Sequence, residues 1–327
     1  MPGRRLVREA ARLCLRAAAN IGPKISPPQS FPGSSPARPA PGYPPGRSRE
    51  HSPAHQHFPG PGCAPVAPLY RRRHNDRVSD AHIHRFGPAD GPLVLALHGL
   101  TGHGRRWGAL ADGHLPDVRV VAPDLRGHGR ASSLPPWTFE QIVDDLLPLL
   151  TEPAVVVAHS FGAAVAIHLS RHRPDLVRAL VLLDPAIGLD PVLLHDIAEA
   201  GLARPDYADI AEARRDKLET AWADVDPGLL EAELAEHLVG TPEGRVTWRM
   251  SLPAVTSYWG QLARELVLPP PRIPTVLVRA GKSPFVTPAT VAAFATLPHF
   301  TLHEFDCDHM IAQARPAETA DVVRSVL

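Results

Sequence analysis

Sulfur is scarce in this chain. Its three cysteines (Cys14, Cys63 and Cys307) are odd in number and far apart. They form neither a disulfide framework nor a C-x-x-C metal or redox pair, and they suit a reducing, cytoplasmic setting. Excess charge of either sign is lacking too. Lys plus Arg and Asp plus Glu both total 34, so no general electrostatic pull draws the chain toward nucleic acid or acidic lipid. No stretch approaches the roughly 18 consecutive apolar residues that crossing a bilayer demands. Stable membrane insertion is therefore not expected, and no internal repeat is visible.

What the first quarter does contain is proline. Fourteen prolines lie between Gly22 and Pro68, among Gly, Ser, Ala and His, with almost no hydrophobic periodicity. Such a stretch cannot bury enough apolar area to offset its ordering entropy, so residues 1–75 are expected to be a disordered, basic, proline-rich leader. Ahead of the prolines, Arg4, Arg5, Arg8, Arg12 and Arg16 recur at helical spacing opposite Leu6, Leu13 and Cys14. Two readings stand for this segment: an upstream start assignment in a GC-rich coding sequence, or a basic amphipathic transit or interfacial helix directing the protein to an organelle. A secretory signal is excluded, because the arginines interrupt any apolar region.

The remainder, 76–327, reads as one folded unit. Short apolar runs alternate with helical patterns, which indicates a mostly parallel, doubly wound α/β sheet covered on both faces. Strands are expected at His82–Phe86, Leu93–Leu97, Arg119–Ala122, Ala154–Ala158, Ala179–Leu183, Thr275–Arg279 and Thr301–Phe305. Helices are expected at Arg106–Asp112, Phe139–Leu149, Ser160–His172, Pro288–Ala295 and Ala314–Val326. About 90 residues separate Leu183 from Thr275, too many for a simple loop. They are expected to form a helical lid at about 187–270, with helices at Val192–Ala200, Asp209–Ala221, Pro227–Leu238 and Val246–Leu252.

Ala158-His159-Ser160-Phe161-Gly162 stands between the run Ala154-Val155-Val156-Val157 and the helical Ala163-Ala164-Val165-Ala166-Ile167. Strand, sharp turn and helix thus meet at Ser160. Small residues two before and two after a serine permit a tight turn that lifts its Oγ clear of the sheet edge. Ala158 stands where the G-x-S-x-G pattern has its first glycine. Three further motifs follow strands, where open α/β sheets bind ligands: His98-Gly99-Leu100-Thr101-Gly102, Asp124-Leu125-Arg126-Gly127-His128-Gly129-Arg130-Ala131-Ser132, and Asp306-Cys307-Asp308-His309-Met310.

Together these four motifs, in this order and spacing, resemble the α/β-hydrolase fold superfamily over roughly 78–327, in its lid-bearing branch of esterases, lactonases, C–C hydrolases and perhydrolases. The resemblance implies Ser160 as nucleophile and His309, on the loop after the last strand, as its base. Phe161 N–H, just after the nucleophile and at a helix N-terminus, is one expected oxyanion donor. The resemblance assigns the other to Leu100. His98, Gly99 and Gly162 are expected to support these turns, with His98 holding the H-G turn through the backbone. Asp124 and Arg126 are expected to be a structural loop pair. A carboxylate nucleophile is missing from the turn, which excludes dehalogenase and epoxide hydrolase chemistry.

The acid departs from the pattern. Most relatives carry an aspartate after the penultimate strand, where this chain reads Ala280-Gly281-Lys282-Ser283-Pro284, and Ser283 cannot supply negative charge. Asp184 is the best substitute: it ends the neighbouring strand, a shift of only about 5 Å. Asp306, Asp308, a true dyad or no acid at all are the alternatives, and a helix-capping or turn role would also suit Asp184-Pro185.

The expected function is cleavage of a small carboxylic ester, thioester or lactone through an acyl-enzyme on Ser160, with a small-molecule substrate and no metal or organic cofactor required. C–C hydrolysis, acyl transfer and perhydrolysis use the same residues. A non-catalytic or weakly active ligand-binding protein on this fold is the alternative that Ser283 keeps alive. Tyr207, Trp222, Trp248, Tyr258 and Trp259 fall in the lid, and Arg204, Arg249 or Lys282 could meet a substrate carboxylate.

Overall fold

The computed structural model describes residues 82–327, so the expected leader over 1–75 lies outside the described residues. Seven strands form one sheet: β1 (Ile83–Phe86), β2 (Leu93–Leu97), β3 (Arg119–Pro123), β4 (Ala154–His159), β5 (Val177–Leu183), β8 (Thr275–Ala280) and β9 (Phe300–Phe305), in the order β1-β3-β2-β4-β5-β8-β9. β1 pairs antiparallel with β3, and the other pairings are parallel. Successive side chains on a strand point to opposite faces, and here both faces are apolar. Leu93, Leu95, Leu97, Val156, Ala158, Leu180, Leu182 and Leu277 pack on one side. Val94, Ala96, Val155, Val157, Val181 and Val278 pack on the other. The unbroken apolar runs in the sequence are the signature of this two-sided burial.

Helices α2 (Phe139–Leu146) and α3 (Phe161–His172) cover the first face. Helix α1 (Gly108–His114) and the C-terminal α9 (Ile311–Ala314) and α10 (Pro316–Arg324) cover the second. The expected single helix over Ala314–Val326 is thus two, because Pro316 lacks the N–H that would carry one helix past Arg315. Likewise α2 ends at Leu146 ahead of Pro148. A short helix, α8 (Pro288–Phe294), joins β8 to β9.

Between β5 and β8 the chain builds a helical insertion of α4 (Pro191–Ala203), α5 (Ile210–Leu218), α6 (Pro227–His237) and α7 (Leu252–Leu262). Two of these helices begin with Asp-Pro. Asp190 Oδ1 accepts from Val192 N at 2.8 Å and Asp226 Oδ1 from Gly228 N at 2.8 Å, while a proline at the first position gives up no hydrogen bond. The expected helix over Val246–Leu252 is absent. Val246–Trp248 is instead strand β7, paired antiparallel with β6 (Leu238–Gly240). Its β-branched residues follow a Thr241-Pro242-Glu243-Gly244 turn in which Gly244 takes φ +78°, a hairpin signal. Helix α7 starts only after Ser251, which caps it, with Pro253 in the first turn.

Candidate active site

Ser160 occupies the turn between β4 and α3 with φ +52° and ψ −118°. This backbone conformation costs a non-glycine residue about 1–3 kcal/mol and persists only when its surroundings enforce it. They do: Ser160 N donates to Leu183 O at 3.0 Å, and Ala163 N and Ala186 N donate to Ser160 O at 3.0 and 3.3 Å. A Cβ at Gly162 would stand 2.6 Å from both the Leu97 and His98 carbonyl oxygens, so only glycine lets α3 start this close to β2. Gly99 is similarly constrained, since a Cβ there would lie 2.8 Å from His159 Nδ1 and 3.2 Å from Ser160 Cβ.

Three side chains separated widely in sequence converge here. Ser160 Oγ lies 2.9 Å from His309 Nε2, and His309 Nδ1 lies 2.6 Å from Asp184 Oδ2. Because a carboxylate only accepts, Nδ1–H donates to Asp184 and Nε2 is left to accept the Ser160 proton. Asp184 is fully buried and holds φ +41°. Its own N donates to Val278 O at 2.7 Å, and its Oδ1 accepts from Ala280 N at 3.2 Å. Two bonds to β8 therefore aim a carboxylate that stands at the end of β5. The His309 ring is flanked by His159 and Phe285, each with its centroid at 4.5 Å. His159 Nε2–H donates to the His309 carbonyl at 2.8 Å, and burial holds the His159 imidazole well below its ordinary pKa.

The other candidate positions make no bond to the His309 ring, whose partners are Asp184 and Ser160. Ser283 follows β8 and its Oγ accepts from Phe285 N at 3.4 Å. Asp308 makes no bond to His309. Its N donates to Asp224 Oδ2 at 2.8 Å, and burial followed by the Asp224 charge pushes its carboxyl up. The Asp306 side chain is 90% exposed. Cys307 is buried, which pushes its thiol up to about 11.

Around the serine turn, Leu100 lines the cavity beside Ser160 and His309. Phe161, as the first residue of α3, offers an N–H with no acceptor inside the helix. His98 accepts from Leu125 N at Nε2 (2.9 Å) and donates from Nδ1 to Gly99 O (2.8 Å). One neutral tautomer satisfies both bonds, and burial depresses the pKa of this ring in keeping with that. His128 Nε2–H donates to the Leu100 carbonyl. Asp124 and Arg126 both brace the loop after β3. Asp124 accepts from Gly104 N (2.7 Å) and Arg130 N (2.8 Å), while Arg126 binds Asp145 at 2.6 and 2.7 Å. Among the described residues, His82, His84 and Asp124 put one potential metal ligand each within 4.8 Å of one another; this trio includes none of Ser160, His309 and Asp184.

A cavity of about 180 Å³ opens onto Ser160 and His309. Of the five insertion aromatics, Tyr207, Trp222, Trp248 and Trp259 line it. Tyr258 instead packs on Phe161 and His128 in the core, its hydroxyl donating to Arg126 O at 2.9 Å. Lys282 lines the cavity but is tied to Asp224 at 3.0 Å, and neither Arg204 nor Arg249 lines it. The sequence reading missed a buried charge cluster in the same wall. Glu233 of α6 accepts from His103 Nε2 at 2.9 Å and from Arg106 Nε at 3.2 Å, with a further short bond from Arg106 Nη2. Lys217 of α5 lies beside them. No local pattern announces a pair separated by 127 positions.

Among the described residues, no helix is long and apolar enough to cross a membrane. The model of the alpha/beta hydrolase family matches residues 93–322. Lipase LipV of Mycobacterium tuberculosis is 52% identical over 242 residues, which cover 72% of this chain and 92% of that protein. The mouse sn-1-specific diacylglycerol lipase ABHD11 is 27% identical over 252 residues, 72% of this chain and 81% of its own. Among solved structures, E-2-(acetamidomethylene)succinate hydrolase superposes with a TM-score of 0.65 at 20% identity, covering 75% of this chain and 93% of that one. The chain belongs to the alpha/beta hydrolase family.

Proposed function

We propose that this enzyme is a serine hydrolase that cleaves a small carboxylic ester, thioester or lactone through an acyl-enzyme on Ser160. Action on ester bonds rests on the kinship with lipases, one of them 52% identical. The observation that carries the mechanism is the chain of two bonds from Ser160 Oγ through His309 to the buried Asp184 carboxylate, at 2.9 and 2.6 Å. A serine hydroxyl is a weak nucleophile until a base removes its proton. His309 Nε2 takes that proton as Oγ attacks the carbonyl carbon, and Asp184 stabilises the imidazolium that forms. The N–H groups of Phe161 and Leu100 are the donors available to the tetrahedral oxyanion. Removing one such donor in a serine hydrolase costs about 10²–10³ in turnover. His309 then returns the proton to the leaving alcohol or thiol, and a water activated by the same ring frees the acid. In this reading the helical insertion is a lid over the cavity.

The test is labelling with a fluorophosphonate probe followed by peptide mass mapping. Stoichiometric modification of Ser160, lost in Ser160→Ala, is expected. A folded wild-type enzyme without a Ser160 adduct would sink the reading.

A further inference from the structure

Lys217 presents an unusual demand in the wall of the cavity. Its side chain is only 7% exposed, yet it lines the same cavity as Ser160 and His309. The ammonium lies over the rings of Trp248 and Trp222, 4.3 and 5.0 Å from their centroids. Its nearest carboxylate oxygen, Glu233 Oε1, is 3.8 Å away, beyond hydrogen-bonding range. That carboxylate is already engaged by Arg106 and His103. The three ammonium donors therefore have no hydrogen-bond acceptor among the described residues. Ring faces ease the charge but accept no conventional hydrogen bond.

The charges facing Lys217 come from three elements: Asp216 on its own helix, Arg106 from the loop after β2, and Glu233 from α6. Arg106 and Lys217 together outweigh Glu233 by one positive charge. Asp216, whose Oδ2 accepts from the Tyr207 hydroxyl at 2.8 Å, brings the formal sum to zero, so what calls for an acceptor is the unfilled ammonium and not an excess of charge. A buried cation with unfilled donors costs free energy until an acceptor arrives, and a charged acceptor makes bonds about twice as strong as a neutral one. An alkyl chain in the same place would leave the ammonium desolvated and unbonded.

From this arrangement we infer that Lys217 is a specificity-determining residue that binds a carboxylate at the far end of the substrate, so that the preferred substrates are half-esters of short dicarboxylic acids. The inference rests on the Ser160 reading and extends it to a substrate class. Burial lowers the ammonium pKa to about 8, which leaves it mostly charged at neutral pH.

The experiment compares kcat/KM for the monomethyl esters of succinic, glutaric and adipic acids with methyl esters of the chain-length-matched fatty acids, at pH 7. For the best-fitting length, the half-ester is expected to exceed its neutral partner about tenfold or more, as one charge-assisted bond allows. Lys217→Met should collapse that ratio about tenfold, and Lys217→Arg should retain much of it. A residue that merely braced the insertion would lower both substrates together and leave the ratio standing. That outcome, or a wild-type enzyme preferring the neutral ester at every length, overturns the assignment while Ser160 labelling remains intact. Failure to hydrolyse any ester together with failure to label would instead overturn the Ser160 reading, and this inference with it.

Discussion

Asp184→Asn isolates the contribution of the buried carboxylate without changing its shape. The structure dictates how the amide must sit. Ala280 N donates to Asp184 Oδ1 at 3.2 Å, so the amide oxygen of an asparagine has to take that position. Its NH₂ then faces His309 Nδ1, where Asp184 Oδ2 now sits at 2.6 Å. Facing a donor, Nδ1 must accept, and the ring proton moves to Nε2. That nitrogen is the one that must take the Ser160 proton across 2.9 Å, and it can no longer do so. The same tautomer reversal in a serine protease costs about 10⁴ in turnover, equivalent to about 5.4 kcal/mol of barrier. We expect a kcat loss of that order on a 4-nitrophenyl ester, with little change in KM and a thermal midpoint that shows the variant folded. Asp308→Asn, which alters a group with no bond to His309, should change kcat less than about threefold. If Asp184→Asn turned over at the wild-type rate, the argument from Ala280 and the tautomer would be wrong.

Other substitutions probe packing and buried charge. Gly162→Ala forces a Cβ to within 2.6 Å of two carbonyl oxygens; overpacking of this kind costs about 1–3 kcal/mol. A thermal midpoint lowered by several degrees and a parallel loss of turnover are expected, and an unchanged midpoint would contradict the steric account. Glu233→Gln leaves Arg106 buried without its anion and should cost about 3–5 kcal/mol in a urea titration at pH 7. Glu233 titrates well below the usual carboxylate range because Arg106, His103 and Lys217 outweigh its burial. Its stabilisation is therefore present above about pH 4.3 and drains away as the pH falls further, so the gap between variant and wild type should narrow there. His98, His159 and His237 are held neutral by burial, their pKa values well below the ordinary one. The unfolded chain takes up protons at these rings below about pH 6.5, so stability should decline from pH 7.5 to 5, each ring adding up to about 1.4 kcal/mol per pH unit. A denaturation midpoint flat across that range would refute this.

How much of this was legible beforehand varied with distance along the chain. The turn at Ser160 and the sheet strands are written in contiguous residues: an apolar run, small residues about a serine, then a helical pattern. Asp184 came within reach only through the resemblance to the α/β-hydrolase fold, which implies that its strand stands next to β8. The β6–β7 hairpin was misread because three-residue strands carry too little periodicity to compete with a neighbouring helical pattern. The buried Glu233 cluster was invisible for a different reason. Its members come from the loop after β2 and from two insertion helices, and each alone looks like an ordinary solvated charge.

The position of Asp184 frees another part of the protein. With His309 oriented from the end of β5, the loop after β8 has no charge to deliver to that ring. Lys282, Ser283 and Pro284 line the cavity, and on the proposed mechanism they can vary without disturbing proton transfer, whereas Phe285 packs on the His309 ring. Ser160 and Asp184 stand at the ends of adjacent strands, while the neighbouring loop is left to shape what enters. Random libraries over Lys282–Pro284 should therefore alter substrate choice at intact Ser160 reactivity, a separation denied to enzymes whose acid sits in that loop.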